Sequence, residues 1–368
     1  MTMRSLMALA SRWSRPQLLL RARSLIQPHD LRPSVIDQLT GKEVAATFDG
    51  LGRELPDVDL RRKFSPKEIE AIKQASDDAG GILVFTNQSP DLSVQDQVRF
   101  GQLIADSDKT CIEPHAVAEG HKDAPEVLEI VREPTASVVF GENWHSDNSF
   151  MEKTCSYSIL RGWVVPRLGV NDTLFSSTEA AYDLLPPAMQ RLLLDLNAYH
   201  SANKAYGLGH PGNSRAAMEK TAGGAHAMQW KPHAPILQKD VLQPIVTVHP
   251  RTGRRNLFVS PTFTTHIEGM SLAESRSILR FIYEWCARPE FCTRVSWQPN
   301  QVVMWDNRSL SHKGLADDVS ELRIVQRVSI RGTSPMNHRG QHFSLSHKVD
   351  AAGAGVFDWR DQQMQTQN

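Results

Sequence analysis

No apolar run in the 368-residue chain approaches the roughly 20 residues that a helix needs to cross a bilayer, and no membrane partner is expected. Excess charge is also lacking. Lys and Arg number 41 against 41 Asp and Glu, a balance that argues against nucleic acid as a primary partner. The four cysteines, Cys111, Cys155, Cys286 and Cys292, match no zinc-site spacing. Cys286 and Cys292 stand six apart around Arg288-Pro289-Glu290, yet four free thiols in a reducing compartment are the expectation rather than a disulfide. Internal repeats and low-complexity tracts are absent as well. What remains is a chain long enough to bury a sizeable core, of a length that commonly forms one domain.

The charge balance hides an asymmetry. Residues 1–29 hold five arginines, four serines and no acidic residue, which leaves 36 basic against 41 acidic residues in the rest. An arginine- and serine-rich, acid-free leader is the pattern of a mitochondrial transit peptide. Its longest apolar runs, Leu6–Ala10 and Leu18–Leu20, are too short for a secretory signal. Residues 1–29 are therefore read as a mitochondrial targeting leader, with the cytoplasm as the alternative compartment.

After residue 30 the local signals alternate between helix and strand. Ser65 as an N-cap, Pro66 at the first helical position and Gly80-Gly81 as a stop predict a helix from Ser65 to Ala79. Ile82–Phe85 reads as a short buried strand, and Ser93 caps a second helix reaching Asp106. Helical stretches over Thr178–Leu185 and Pro187–Leu196 are split at Pro186-Pro187. Thr247–Pro250 and Asn256–Val259 flank Arg251-Thr252-Gly253-Arg254 as a hairpin, with His249 expected to pack or cap its turn rather than to bind a metal. Ser271–Ala287 is predicted as an amphipathic helix, and Val295–Trp305 as two strands. The longest connection, Ala202–Pro235, carries five glycines and few apolar anchors. Such a loop in a compact domain is expected to be a lid. After Gly332 the pattern fades, and residues 333–368 are expected to be loose or to pack against another subunit of a homo-oligomer.

Chemistry concentrates in two short runs. His145 and Asp147 lie in Asn143-Trp144-His145-Ser146-Asp147, and His312 ends Trp305-Asp306-Asn307-Arg308-Ser309-Leu310-Ser311-His312. On a strand, residues two apart project from one face. A histidine from a distant strand would complete two imidazoles and one carboxylate, a set that suits ferrous iron and leaves coordination positions open. Arg323 and Arg327 follow His312 by 11 and 15 residues. Read as a strand, Leu322–Ile330 puts both arginines on the face of Val325. Buried guanidiniums there are costly without anions to meet them, and a guanidinium grips a carboxylate through two parallel bonds.

The runs Asn143–Phe150, Asp172–Leu185, Thr247–Met270 and Trp305–Ile330 resemble the TauD/TfdA family of iron(II)- and 2-oxoglutarate-dependent dioxygenases, in order and spacing, across about residues 60–332. The resemblance implies a mainly β fold with flanking helices, a double-stranded β-helix or jelly-roll barrel, here residues 30–332. It implies Fe(2+) held by His145, Asp147 and His312, with 2-oxoglutarate and O2 as cosubstrates. It places Thr173 and Arg323 on the distal carboxylate of 2-oxoglutarate and Arg327 on an anionic group of a small-molecule substrate. Related halogenases lack the carboxylate, so Asp147 implies hydroxylation, with succinate and CO2 as coproducts. Phe263 matches an aromatic pocket position, and Asn148 is counted among the substrate contacts. In taurine enzymes a histidine and a tyrosine three residues later touch the substrate. Here His115 is the nearest match, with Ala118 in the tyrosine's place, and Gly141 stands where those enzymes carry an asparagine. A roomier pocket for a sulfonate, carboxylate or sulfate ester is expected rather than one for taurine. A dioxygenase of carnitine synthesis, acting on a quaternary amine, is the alternative within the superfamily. Five tyrosines and four scattered cysteines argue against its aromatic cage and zinc domain. A catalytically silent barrel and a cupin-type metalloenzyme are the alternatives outside it. The intact residue set speaks against the first, and the lack of a His-x-His cluster against the second.

Overall fold

The computed structural model describes residues 51–105, 111–134, 140–207, 230–231, 233–342 and the backbone of 345–348. The basic leader lies outside these residues, as does most of the expected lid, 208–229. Among the described residues the helices are α1 (Pro66–Asp78), α2 (Val94–Ile104), α3 (Thr178–Asp183), α4 (Pro187–Leu193), α5 (Ala202–Tyr206) and α6 (Leu272–Cys286). Three of them start by the same device. The side chains of Ser65, Ser93 and Ser271 accept from the amides of Glu68, Asp96 and Glu274, whose carboxylates in turn accept from the serine amides. Two otherwise unpaired amides are satisfied at each start, so the sequence marks these helices reliably.

The rest is mainly β. Strands β1 (Arg53–Glu54), β2 (Ile82–Phe85), β3 (Val127–Arg132), β4 (Cys155–Val164), β12 (Val302–Asp306) and β14 (Arg323–Arg331) form one sheet in the order β1-β2-β12-β4-β14-β3. A second sheet runs β11 (Cys292–Val295), β5 (Thr173–Ser177), β13 (Leu310–Gly314). Another joins β10 (Thr264–Ile267), β6 (Asn197–Ser201), β7 (Lys239–Pro244) and β15 (Leu345–Lys348), while β8 (Val246–Val248) and β9 (Arg255–Leu257) make the predicted hairpin.

Strand β14 is buried on both faces, and its alternation fixes what each face meets. Val328 points to α2, where a Cβ on Gly101 would come within 2.9 Å of it, so the helix can lie this close only through a glycine. Val325 points the other way, into a core shared by the first two sheets. It packs there with Leu128 and Ile130 of β3, Trp305 of β12, Phe175 of β5, Leu310 of β13 and Trp297. Arg323 and Arg327, having the same parity as Val325, are carried on that inner face.

Two expectations change. The segment after Gly332 is not loose throughout: the Val248 amide donates to the Met336 carbonyl at 2.8 Å, and residues 345–348 pair antiparallel with Lys239–Leu242 as an edge strand. Edge pairing needs only backbone groups and few apolar side chains, so composition gave no sign of it. His249 caps its turn as predicted, its Nδ1 accepting from the amides of Arg251 and Thr252, but it also belongs to a larger network. Its Nε2 lies 3.0 Å from Asp306 Oδ2, Arg308 grips the same carboxylate through Nε and Nη2, and Arg251 Nε donates to Asp77 of α1 at 2.8 Å.

Candidate metal centre

His312 sits at the middle of β13. His145 reaches it by a single antiparallel bridge, with amide-to-carbonyl bonds of 3.0 and 2.8 Å in the two directions. The strand predicted for His145–Asp147 stops there. After His145 the chain turns over Asp147–Phe150, with Asn148 at φ +52°, a conformation that asparagine tolerates better than most side chains. The Asp147 amide donates to Asn307 Oδ1 at 3.0 Å instead of to a neighbouring strand. The aspartate therefore faces the histidines because a turn puts it there, and not through strand parity.

The result is compact. One ligand atom from each of His145, Asp147 and His312 lies within 4.8 Å of the others, the imidazole centroids are 4.2 Å apart, and all three residues are buried. His145 Nδ1 lies 2.7 Å from the Asn143 carbonyl, which fixes the proton on Nδ1 and turns the Nε2 lone pair to the cluster. Burial and the adjacent His145 hold the His312 imidazole well below its ordinary pKa, in the neutral form that a metal ligand requires. Burial alone would raise the Asp147 carboxyl, but the Arg327 guanidinium and the two imidazoles outweigh it and keep the group well below the usual carboxylate range. Two imidazoles and one firm carboxylate fit iron(II). A second group, Asp77, His249 and Asp306, is equally close, yet Arg251 and Arg308 already occupy its carboxylates. That group is an ion-pair network.

Two residues that sequence reasoning missed hold Asp147. Ser158 Oγ donates to Asp147 Oδ2 at 2.6 Å, Asn307 Nδ2 donates to Ser158 Oγ at 2.9 Å, and Asn307 Oδ1 also accepts from Trp305 Nε1 at 3.0 Å. Asn307 lay in the quoted run before His312, but only the fold reveals its partner across 160 residues. Outer partners of metal ligands are worth roughly 10–100-fold in affinity. Ser158→Ala, which removes one hydroxyl from a fully buried site, should weaken iron binding by about that factor in an equilibrium titration. An unchanged affinity would show that the turn alone orients the carboxylate.

Arg327 also differs from expectation. The sequence left a substrate as the obvious anion for it, whereas the structure pairs its Nη1 with Asp147 Oδ1. Its Nε remains buried without a partner, so the guanidinium can serve a second anion. The Arg323 side chain is buried with no hydrogen bond or ion pair among the described residues, its Cζ 5.9 Å from the Trp297 ring. Trp297 Nε1 in turn donates to Thr173 Oγ1 at 3.0 Å, which leaves the threonine proton free to donate.

Aromatic rings cluster beside the His145 imidazole. Phe263 lies 6.0 Å from the His145 ring and 4.8 Å from Phe150. Tyr206 of α5 lies 5.8 Å from Phe263, 6.3 Å from Phe140 and 6.0 Å from Trp230. Trp230 bridges to Ala118. His115 joins these rings 5.7 Å from Tyr206. Its Nδ1 accepts from the Ala118 amide at 3.1 Å, while Nε2 is buried and unpartnered. Burial, then the Arg327 charge, push its pKa down to about 3. It is thus a neutral imidazole whose Nε2–H is a free donor. Asn148 forms the turn after the metal ligands, its carbonyl accepting from the Met151 amide at 2.9 Å. Phe140, Tyr206 and Trp230 come from segments far apart in sequence, and no local pattern links them.

Comparison with known proteins agrees with this geometry. The sequence profile described as "Taurine catabolism dioxygenase TauD, TfdA family" matches residues 37–329. The alpha-ketoglutarate-dependent 2,4-dichlorophenoxyacetate dioxygenase of Cupriavidus pinatubonensis is 31% identical over 286 residues, covering 74% of this chain and 92% of its own. An alpha-ketoglutarate-dependent sulfate ester dioxygenase of Pseudomonas putida is 30% identical over 297 residues, covering 79% and 90%. A solved taurine dioxygenase from Burkholderia xenovorans superimposes with a TM-score of 0.65 at 28% identity, over 86% of this chain and 99% of that one. With the His/Asp/His cluster in place and the likeness spanning most of both chains, the protein belongs to the TauD/TfdA family of dioxygenases, enzymes that use iron(II), 2-oxoglutarate and dioxygen.

Proposed function

We propose that this enzyme hydroxylates an amphipathic organic anion whose apolar body lies against Phe140, Tyr206, Trp230 and Phe263, with succinate and CO2 as coproducts. The single observation that carries this reading is the pair of free buried donors beside the aromatic wall, Arg327 Nε and His115 Nε2. A carboxylate, sulfonate or sulfate placed there would satisfy both, and leaving them unmet costs free energy. The relatives named for dichlorophenoxyacetate and for sulfate esters share such a group. The aromatic rings could also receive a quaternary ammonium, but the Arg327 charge opposes that cation. The cluster bridging β13 to the His145 turn and the core shared by the two sheets suit a double-stranded β-helix with its mouth at the metal.

His145, Asp147 and His312 would hold the iron, while Arg323 and the Thr173 hydroxyl would grip the distal carboxylate of 2-oxoglutarate and so set the angle of its keto acid end. Iron(II) with 2-oxoglutarate supplies the activation of dioxygen and the oxidising power for hydroxylation. Arg327 and His115 would fix the substrate's anionic end, so the wall decides which carbon faces the metal. A hydroxyl placed on a carbon that bears an ether or ester oxygen makes an unstable product, which breaks down and releases that group.

The test is succinate formation from labelled 2-oxoglutarate, screened across sulfonates, carboxylates, sulfate esters and quaternary amines with aryl and alkyl bodies. Substrate-dependent succinate with the anionic classes is expected. A quaternary amine giving the fastest turnover would overturn this reading.

A further inference from the structure

Arg323 has a second buried guanidinium beside it. In the β3–β14 ladder Arg132 stands directly opposite Arg323, and it shares the parity of Leu128 and Ile130, which face the inner core. Both arginines are more than nine-tenths buried, at 5% and 9% exposure. Neither has a carboxylate within ion-pair distance among the described residues. Arg132 donates through Nη1 to Asn171 Oδ1 at 2.6 Å and through Nη2 to the Glu321 carbonyl at 3.5 Å, both neutral acceptors. The Nε of each arginine is buried and unpartnered.

The nearby acids are already committed. Asp172 Oδ2 accepts from Arg294 and Ser296, Asp318 pairs with Arg167 at 2.7 Å, and Asp317 accepts from the Asn171 amide at 2.6 Å. Burial and the charge of Arg132 together push Arg323 down to about 10. Glu321, like Asp318, pairs with Arg167, so Asp317, Asp318 and Glu321 attract Arg132 only from beyond ion-pair distance. Two buried like charges side by side, neither in contact with an anion among the described residues, are costly as they stand. Structural ion pairing gives no reason for the second one. A carboxylate shared between them would relieve both.

We propose that Arg132 is a second binding residue for 2-oxoglutarate, so that the distal carboxylate is held between two guanidiniums, with the Thr173 hydroxyl as a third donor. This rests on the placement of the distal carboxylate at Arg323 proposed above. It adds that selectivity for a five-carbon 2-oxo diacid over a 2-oxo monoacid depends on both arginines. The loss of either leaves a weakened cradle rather than none.

The measurement is calorimetric binding to the manganese(II)-loaded protein, which needs no turnover. Two ligands are compared: 2-oxoglutarate, and 2-oxopentanoate, which has the same chain length with a methyl in place of the distal carboxylate. Arg132→Gln should weaken 2-oxoglutarate about ten- to a hundredfold, the range for one charge-assisted hydrogen-bonding partner, and should leave 2-oxopentanoate within about twofold. Arg132→Lys, which keeps the charge, should lose less. Asn171→Gly removes the neutral partner of Arg132 at a residue with φ +55° and should leave the ratio of the two ligands unchanged. An equal loss for both ligands, or the same loss from Asn171→Gly, would make Arg132 a structural residue and overturn the inference. Loss at Arg323→Gln with none at Arg132→Gln overturns this inference alone. Loss at neither would also overturn the placement of the carboxylate at Arg323.

Discussion

Asp147→Ala should abolish hydroxylation of every substrate in a metal-controlled assay. The substitution does two things at once. It reduces three protein ligands to two imidazoles, with no anion left to favour a ferrous ion, and it strips Arg327 of its buried counter-charge. Removing one partner of such a pair typically costs about 3–5 kcal/mol, so a lowered melting temperature should accompany the lost activity. Asp147→Asn separates the effects. It keeps the shape and one acceptor oxygen for Arg327, while its amide NH2 faces the Ser158 hydroxyl oxygen, so stability should recover more than iron binding does. Full turnover by Asp147→Ala would remove this aspartate from the metal centre.

Arg327→Ala should weaken anionic substrates by roughly 2–5 kcal/mol, the usual cost of breaking a desolvated charge pair. The structure complicates a simple reading, because the same change leaves Asp147 without its guanidinium. The informative quantity is therefore a ratio: KM for an anionic substrate against KM for its neutral isostere, such as a carboxylate against its amide. The ratio should collapse in Arg327→Ala, whereas a disturbed metal centre would slow both substrates alike. Arg327→Lys should restore only part, since an ammonium cannot reach Asp147 and a substrate anion together through a planar fork. If a neutral or cationic molecule proves the best substrate and Arg327→Ala barely alters it, Arg327 serves only as the counter-charge of Asp147.

Much of the fold was legible wherever one chemical device settles a local question. The serine boxes before Glu68, Asp96 and Glu274 mark helix starts without reference to anything distant. The apolar runs Ile82–Phe85 and Val302–Trp305, within β2 and β12, read as strands because a doubly covered strand is continuously apolar. The metal residues were legible for a different reason: a His-x-Asp pair is common by itself, but with His312, the two arginines that follow it and the resemblance to the TauD/TfdA family it singled out His145, Asp147 and His312. Sequence could not supply the geometry that joins them. His145 and Asp147 were assigned to one strand, and a turn anchored on Asn307 does that work instead. The partner of Arg327 was hidden likewise, since nothing local ties position 327 to position 147. Tyr206 fell within a stretch predicted to be a lid, and its short helix α5 carries no side-chain cap hydrogen bond that could have announced it.

The ion-pair network behind the metal strand links stretches of chain that lie far apart. Asp77 and Arg251 are 174 residues distant in sequence, and His249 ties their turn to Asp306, six positions before His312. Because these charges are buried against one another, reversing any one of them strands its neighbour. A lineage of such enzymes can therefore drift freely at most surface positions but must change these residues in compensated pairs. The helix α1, the hairpin turn and the approach to the metal histidine are thereby coupled as one unit. A chimera that took α1 from one relative and the hairpin from another would meet the mismatch there first.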